Sequence, residues 1–352
     1  MSILLRAREA VKELQPYQSA RSLQKSAPIC LDANESPWPD ESLVSLNRYP
    51  EPMPVALRSR LAGLYSVRPE QVLLGRGSDE GIELLMRAFC EARQDRVLCA
   101  SPTYGMYGVS AAIQGVALDS VALAKNYSLD TDALLAAVTD DTKIVFVCSP
   151  NNPSGNLLAR DSITKLCTAL QERCLVVVDE AYLEYSGAAS AAEELAKYPN
   201  LVVLRTLSKA WGLAGLRIGA LVAAPDLITL LRKVQAPYPI SSLCASHALK
   251  ALGSSGLETM TKRVAIVQSE RTRVSTAIAA CSWAQTVYPS DANFILIRCS
   301  DRKVVQRFYE EGILIRDRSR VAGLDACVRI SIGTPAENNR VIEVAQNLSP
   351  RV

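Results

Sequence analysis

An amide, a carboxylate and an amine stand at near-regular intervals in this chain. Asn152 lies in the polar turn 149–155, Asp179 directly follows the apolar run 175–178, and Lys209 lies among small and hydroxyl residues at 206–210. The separations of 27 and 30 residues are each about one strand-helix unit, so all three can converge on one edge of a parallel sheet. A carboxylate placed straight after an apolar run begins in a poorly solvated position and needs a cationic partner. A crowded, partly buried lysine keeps a larger neutral fraction and can condense with a carbonyl. Taken singly, Asp179 can cap a helix and Asn152 can end a turn before Pro153; their shared spacing favours a common site.

One cofactor meets these demands together. Pyridoxal phosphate carries an aldehyde for Lys209, a ring nitrogen to be held protonated against Asp179, and a ring oxygen for Asn152 and Tyr182. Its phosphate needs a cradle. Residues 75–81, Gly-Arg-Gly-Ser-Asp-Glu-Gly, open an amphipathic stretch over 82–89, and the amides of such a helix start would point at an anion. Ser208 and Arg217 can close that cradle with a hydroxyl and a fork of donors. The turn is not a dinucleotide fingerprint, because its third glycine and downstream acidic partner are not clear.

The elements that must position these residues can be traced from the apolar pattern. Runs at 72–74, 97–100, 144–148, 175–178, 201–204 and 218–222 alternate with amphipathic helical stretches, as buried strands of an α/β fold with a mainly parallel sheet do. Residues 4–14 have helical spacing and stop before Pro16, predicting an N-terminal helical arm followed by a loop through Tyr17 and Ser19. Five prolines between Asn34 and Pro54 predict an extended surface segment. After Pro237 and Pro239 a long helical region is expected through Arg273, then strands at 293–298, 312–316 and 327–332. Thr334, Pro335 and Glu337 form a capping box that starts a last helix. This end of the chain makes a second, α+β domain.

Composition removes other chemistries. The chain has 352 residues, 49% of them hydrophobic and 21% charged, enough to bury a sizeable core in one large and one smaller domain. Its 39 basic and 36 acidic residues leave a formal charge of +3, with no basic block to track a phosphate backbone, so nucleic acid is not an expected partner. With His247 as the only histidine, multi-histidine metal centres are excluded and no metal is expected. Ten cysteines scattered without a CxxC pair fit reduced core residues. No secretory h-region and no run of 18 apolar residues occurs, so a soluble, cytoplasmic protein without membrane contact is expected.

These segments resemble the fold-type I pyridoxal-phosphate aminotransferases, and in particular the histidinol-phosphate aminotransferases. The likeness runs through PYQSAR at Tyr17, LDANESP at Asn34, NRYPEP at Tyr49, GRGSDEGIELL at Ser78, PTYGMY at Tyr104, CSPNNPSG at Asn152, DEAYLEY at Asp179, RTLSKAWGLAGLRIG at Lys209, GILIRD at Arg316 and RISIGT at Arg329. It departs at Ser154, usually threonine, and at Trp211, usually phenylalanine; neither touches the mechanism.

The resemblance implies a large pyridoxal-phosphate-binding domain over 36–235, built on a mainly parallel seven-stranded sheet between helices. A smaller α+β domain follows over 236–352, with residues 1–35 as an arm packing against it. Lys209 is then the Schiff-base lysine, Asp179 the ring-nitrogen partner, and Asn152 with Tyr182 the donors to the ring oxygen. Tyr104 stacks on the ring, while Ser78, Asp79, Ser208 and Arg217 hold the phosphate. Tyr49 reaches the phosphate of a neighbouring subunit in a homodimer, and Tyr17, Asn34, Arg316 and Arg329 bind substrate. The implied reaction is transamination between L-histidinol phosphate and 2-oxoglutarate, giving imidazole-acetol phosphate and L-glutamate, in histidine biosynthesis. Threonine-phosphate decarboxylases and other aminotransferases of this fold share the cofactor residues. Regulators that keep the fold carry a DNA-binding extension, for which no room is expected before Tyr17.

Overall fold

A computed structural model describes residues 2–17, 29–39 and 46–348. Its helices are α1 (Glu9–Glu13), α2 (Val55–Leu64), α3 (Ser78–Phe89), α4 (Met106–Gln114), α5 (Thr131–Ala137), α6 (Arg160–Ala169), α7 (Pro225–Val234), α8 (Ser242–Ala251), α9 (Ser254–Ala279), α10 (Val304–Glu310) and α11 (Pro335–Asn347). Its strands are β1 (Val72–Gly75), β2 (Arg96–Ser101), β3 (Ala117–Ala122), β4 (Thr142–Cys148), β5 (Leu175–Asp179), β6 (Leu201–Thr206), β7 (Gly219–Val222), β8 (Ala284–Val287), β9 (Phe294–Cys299), β10 (Arg316–Asp317) and β11 (Cys327–Ser331).

Seven strands form the large sheet in the order β1-β7-β6-β5-β4-β2-β3. Strands β2 to β6 pair parallel, and β7 runs against both its neighbours, β1 and β6. The central strand β5 shows why the run 175–178 must be a strand: all four side chains are fully buried. Helices covering both faces of a parallel sheet leave no polar side to such a strand, and each of these residues contributes roughly 1.5–3 kcal/mol by leaving water. The edge strand β3, Ala-Leu-Asp-Ser-Val-Ala, is mostly exposed and was not expected. It pairs on one side only and lacks the apolar run that marks the buried strands.

The second sheet, β10-β11-β9-β8, is antiparallel throughout and has its own core, with Trp283, Ile295, Ile297, Phe308, Val328 and Ile330 in contact. Three expectations need correction here. The helical region beyond Pro239 is two helices parted at Gly253, the second reaching Ala279 rather than Arg273. Between 312 and 316 only Arg316 is strand, because Gly312 turns left-handed (φ +77°) to end α10 and the chain meets β11 first at Arg316. Helix α8 also belongs to the large core, through Ala245 and Ala248, so that core extends past residue 235.

The N-terminal arm packs differently from expectation as well. Residues 4–14 do not form one helix: a 3-10 turn at Ile3–Arg6 is followed by the short α1. At the break the Arg8 amide donates to the Ala88 carbonyl at 2.9 Å, and the Arg8 guanidinium pairs with Glu91 at 2.8 Å. Tertiary partners thus take groups a continuous helix would need. Ile3, Ala7 and Val11 are buried in the large core, so residues 3–13 pack on the large domain and not on the small one. Ser19 lies outside the described residues. Helix α9 links the lobes, placing Val264 with Tyr182, Ala210 and Phe294 beneath the sheet edge where the strands deliver their polar residues.

Candidate active site

Strands β1, β2, β4, β5 and β6 all end at one edge of the large sheet, and a cleft of about 550 Å³, counting its open mouth, lies just beyond them. The rule that ligands bind outside the carboxyl ends of parallel strands predicts that place. Ser78, Asp79, Tyr104, Asn152, Asp179, Tyr182, Ser208, Lys209 and Arg217 line it, together with Gly77, Cys148 and Thr206.

Asp179 closes the floor. Its residue is 2% exposed. One carboxylate oxygen accepts from the Tyr107 hydroxyl at 2.9 Å and the other from the Ala181 amide at 3.1 Å. Burial pushes its pKa up to about 6, and these two donors hold it from rising further. Tyr107 was not anticipated. It is fully buried on α4, stacked on Phe146 at 4.6 Å between ring centres, and its spacing three after Tyr104 was the signal available.

Asn152 and Tyr182 meet at the next corner, Nδ2 to hydroxyl 3.3 Å. Burial raises the Tyr182 pKa beyond the usual phenol range, so the hydroxyl keeps its proton and stays a donor. The Asn152 carbonyl oxygen accepts from Arg329 Nη1 at 2.6 Å, which ties the small sheet to the cleft. Lys209 is open to solvent through the mouth, with Nζ 5.4 Å from the centre of the Tyr182 ring. The part of the side chain enclosed by the cleft walls loses water, and this and then the Arg329 charge lower its pKa, against the pull of Asp79 and Asp179.

At the far end the chain leaves β1 through Gly77, whose φ of +82° only glycine adopts readily. Gly77 caps α3 with no side-chain hydrogen bond to the helix amides, and the Arg217 fork and Ser208 hydroxyl stand in the same cleft. A Cβ on Gly77 would lie 2.7 Å from Arg217 Nη2, the movable end of a flexible side chain, so it is the positive φ that calls for glycine here. Tyr104 is held beside it by its hydroxyl's 3.0 Å bond to Asp79. A glycine start to a helix, a cation and a hydroxyl suit a phosphate, and a buried carboxylate suits a ring nitrogen. These residues fit pyridoxal phosphate on both counts.

The cradle also depends on Gly219 of β7. A Cβ there would come within 2.4 Å of the Gly77 carbonyl carbon and the Ser78 amide nitrogen. Gly219→Ala is expected to displace the loop at about 1–3 kcal/mol of overpacking and to weaken cofactor retention roughly tenfold or more. Equilibrium titration of the cofactor-free protein checks this, and an unchanged dissociation constant would sink it.

Four further residues were expected at the site. Arg316 does not line the cleft; it is exposed and paired in register with Arg329 on the small sheet. Tyr17, Asn34 and Tyr49 do not line the cleft within the single chain. Tyr17 is 75% exposed beside Pro16, Pro52 and Met53, and Asn34 is exposed with φ +54°. Tyr49 stacks on Tyr238 at 4.7 Å. The prolines that deny this segment a place in either sheet leave it on the outside. His247 faces solvent, its Nδ1 2.9 Å from the Leu243 carbonyl. Among the described residues no cluster of His, Cys, Asp and Glu could hold a metal, and no helix is long and apolar enough to cross a membrane.

Known proteins resemble this chain over most of its length. A family model described as aminotransferase class I and II matches residues 29–344. A histidinol-phosphate aminotransferase of Pectobacterium atrosepticum is 46% identical over 346 residues, 97% of this chain and 97% of that one. Among solved structures, the histidinol-phosphate aminotransferase of Clostridium acetobutylicum has the same fold, with a TM-score of 0.79 at 23% identity, covering 86% of this chain and 91% of that one. The histidinol-phosphate aminotransferase of Sinorhizobium meliloti, solved in complex with pyridoxal 5'-phosphate, matches with a TM-score of 0.78 at 28% identity, over 86% and 84%.

Proposed function

Since the chain belongs to the aminotransferase class I and II family, we propose that it transfers the amino group of L-histidinol phosphate to 2-oxoglutarate, with pyridoxal phosphate as cofactor. The products are imidazole-acetol phosphate and L-glutamate, and the step serves histidine biosynthesis. The observation that carries the reading is the place of Arg329, an arginine bonded to Asn152 beside the lysine and carboxylate of the cleft. It calls for an amine substrate that carries an anion, and full-length likeness to histidinol-phosphate aminotransferases names which.

Each residue then has a physical task. The cofactor, when bound, supplies an aldehyde for the lysine amine and a ring that accepts electrons from a deprotonated carbon. Lys209, its pKa lowered by partial burial and the Arg329 charge, has a larger neutral fraction than a free lysine, and in that form its Nζ can attack a carbonyl and move a proton at the substrate's amine-bearing carbon. Asp179 holds the proton on the ring nitrogen, while Asn152 Nδ2 and the Tyr182 hydroxyl donate to the ring oxygen. Tyr104 offers its ring face. The α3 amides at Ser78 and Asp79, the Ser208 hydroxyl and the Arg217 fork hold the phosphate. Arg329 and Arg316 bind the substrate anion, so one pocket serves a phosphate ester and a dicarboxylate in turn.

The proposal includes a cytoplasmic homodimer in which Tyr49 reaches the cofactor phosphate of the other copy. Ile29, Leu31, Trp38 and Tyr49 leave more apolar surface exposed along the proline-rich segment than a lone chain needs, and Tyr17 and Asn34 would complete a substrate pocket there. Mixing the holoenzyme with histidinol phosphate alone tests the reaction. The visible absorbance of the lysine-linked cofactor is expected to convert to that of the pyridoxamine form, with ketone product and no carbon dioxide. No conversion, or carbon dioxide release from phosphothreonine without transamination, overturns it.

A further inference from the structure

The small sheet presents more positive charge to the cleft than the two expected arginines. Arg316 and Arg329 stand directly opposite each other in the β10–β11 register, so their side chains share a face. The neighbours of Arg329 on its strand, Val328 and Ile330, point the other way into the small core. The ladder continues one step beyond β10, where the Arg318 amide donates to the Cys327 carbonyl at 2.9 Å. Side chains alternate along a strand, so Arg318 rejoins Arg316 and Arg329 on the cleft face. Asp317, between them, is turned aside and accepts from Ser319, amide at 2.8 Å and hydroxyl at 2.6 Å.

None of the three arginines has an ion-pair partner among the described residues, and the Nε atoms of Arg318 and Arg329 are buried without a hydrogen-bond acceptor. Burial, and then the charges of Arg329 and Arg316, hold the Arg318 pKa below its ordinary value. Three cations on one face with no acid among them repel one another, and unmatched buried donors are costly. The arrangement is therefore built for an anion that arrives with the substrate. One bidentate fork saturates a carboxylate, whereas a phosphate monoester brings about two charges and three terminal oxygens.

We propose that Arg318 is a specificity-determining residue, the third fork that adapts a pocket shared with a dicarboxylate to a phosphate-bearing amine. The inference rests on the proposed function for its substrate and on the β10–β11 face for its chemistry. Arg318→Gln keeps a polar side chain of similar reach and removes the charge. In half-reactions of the holoenzyme, KM for histidinol phosphate is expected to rise roughly tenfold to a hundredfold, with KM for glutamate changed less than about threefold. Inorganic phosphate, used as a competitive inhibitor of the glutamate half-reaction, is expected to weaken in parallel. Phosphate inhibiting the variant as strongly as the parent overturns the inference, as do equal changes in KM for both donors. If the parent enzyme fails to react with histidinol phosphate, the proposed function falls, while the phosphate arm still decides the role of Arg318.

Discussion

Lys209→Ala is expected to lower glutamate-dependent turnover about 10⁴-fold or more, the upper range for loss of a positioned proton-transfer group that is also the nucleophile. The fold should not notice. Lys209 is open at the mouth of the cleft, its Nζ 5.4 Å from the centre of the Tyr182 ring, so truncation makes no core cavity. Removing the cation relieves its repulsion by Arg329 and Arg217 and gives up its attraction to Asp79 and Asp179, two effects of opposite sign. Thermal stability without cofactor should therefore stay within about 0.5 kcal/mol of the parent. Cofactor should still bind through the α3 cradle and Asp179, without the visible absorbance of the lysine-linked form. Lys209→Arg separates charge from chemistry, since a guanidinium keeps the positive charge and does not become neutral near pH 7. It should be as inactive as the alanine variant. Retention of more than about 1% of turnover by either variant would place the proton carrier elsewhere.

The sequence displayed the centre of this site better than its rim, for a physical reason. Asn152 and Lys209 follow, and Asp179 ends, a strand whose apolar run is unmistakable, because both of its faces are buried; Val145, Val177 and Val203 are all fully shielded. Once those strands are adjacent and parallel, the residues after them must meet. Tyr107 gave no such signal, since a tyrosine in a helix usually packs, and its value comes from a contact 72 residues away with Asp179. The arm was misplaced because residues 4–14 carry a helical period that tertiary bonds from Arg8 to Ala88 and Glu91 override. Edge strand β3 has little apolar pattern, because only one of its sides meets a neighbour. Arg318 was passed over beside Arg316, and only the register with β11 places both on one face.

Asp179→Asn should move stability and activity in opposite directions. In the cofactor-free fold the pKa of Asp179 is about 6, against 3.8 ordinarily, so the folded chain binds this proton more tightly than the unfolded one. Its contribution to stability is fully present below about pH 3.8 and is lost as pH rises through about 6. Above that range the ionised, buried carboxylate is kept at a cost of up to about 3 kcal/mol, two pKa steps of 1.36 kcal/mol. Asparagine carries no charge to bury. The cofactor-free variant should therefore melt higher than the parent at pH 8 and lose that advantage by about pH 4. The same change removes the proposed partner of the ring nitrogen, and stripping one side from a buried ion pair costs about 3–5 kcal/mol, a loss of at least a hundredfold in turnover or cofactor affinity. Tyr107→Phe should weaken cofactor binding in the same sense and less strongly, but lower the cofactor-free melting temperature at pH 8, because the buried carboxylate stays and loses a donor. Without that donor the Asp179 pKa climbs further, so cofactor retention, which weakens as pH falls through the pKa, should begin to fail at a higher pH than in the parent. Melting curves of both cofactor-free variants from pH 4 to 8, with cofactor titrations over the same range, read all of this. A lower melting temperature for Asp179→Asn at pH 8, or turnover within tenfold of the parent, would show that the carboxylate is held for packing and not for the ring.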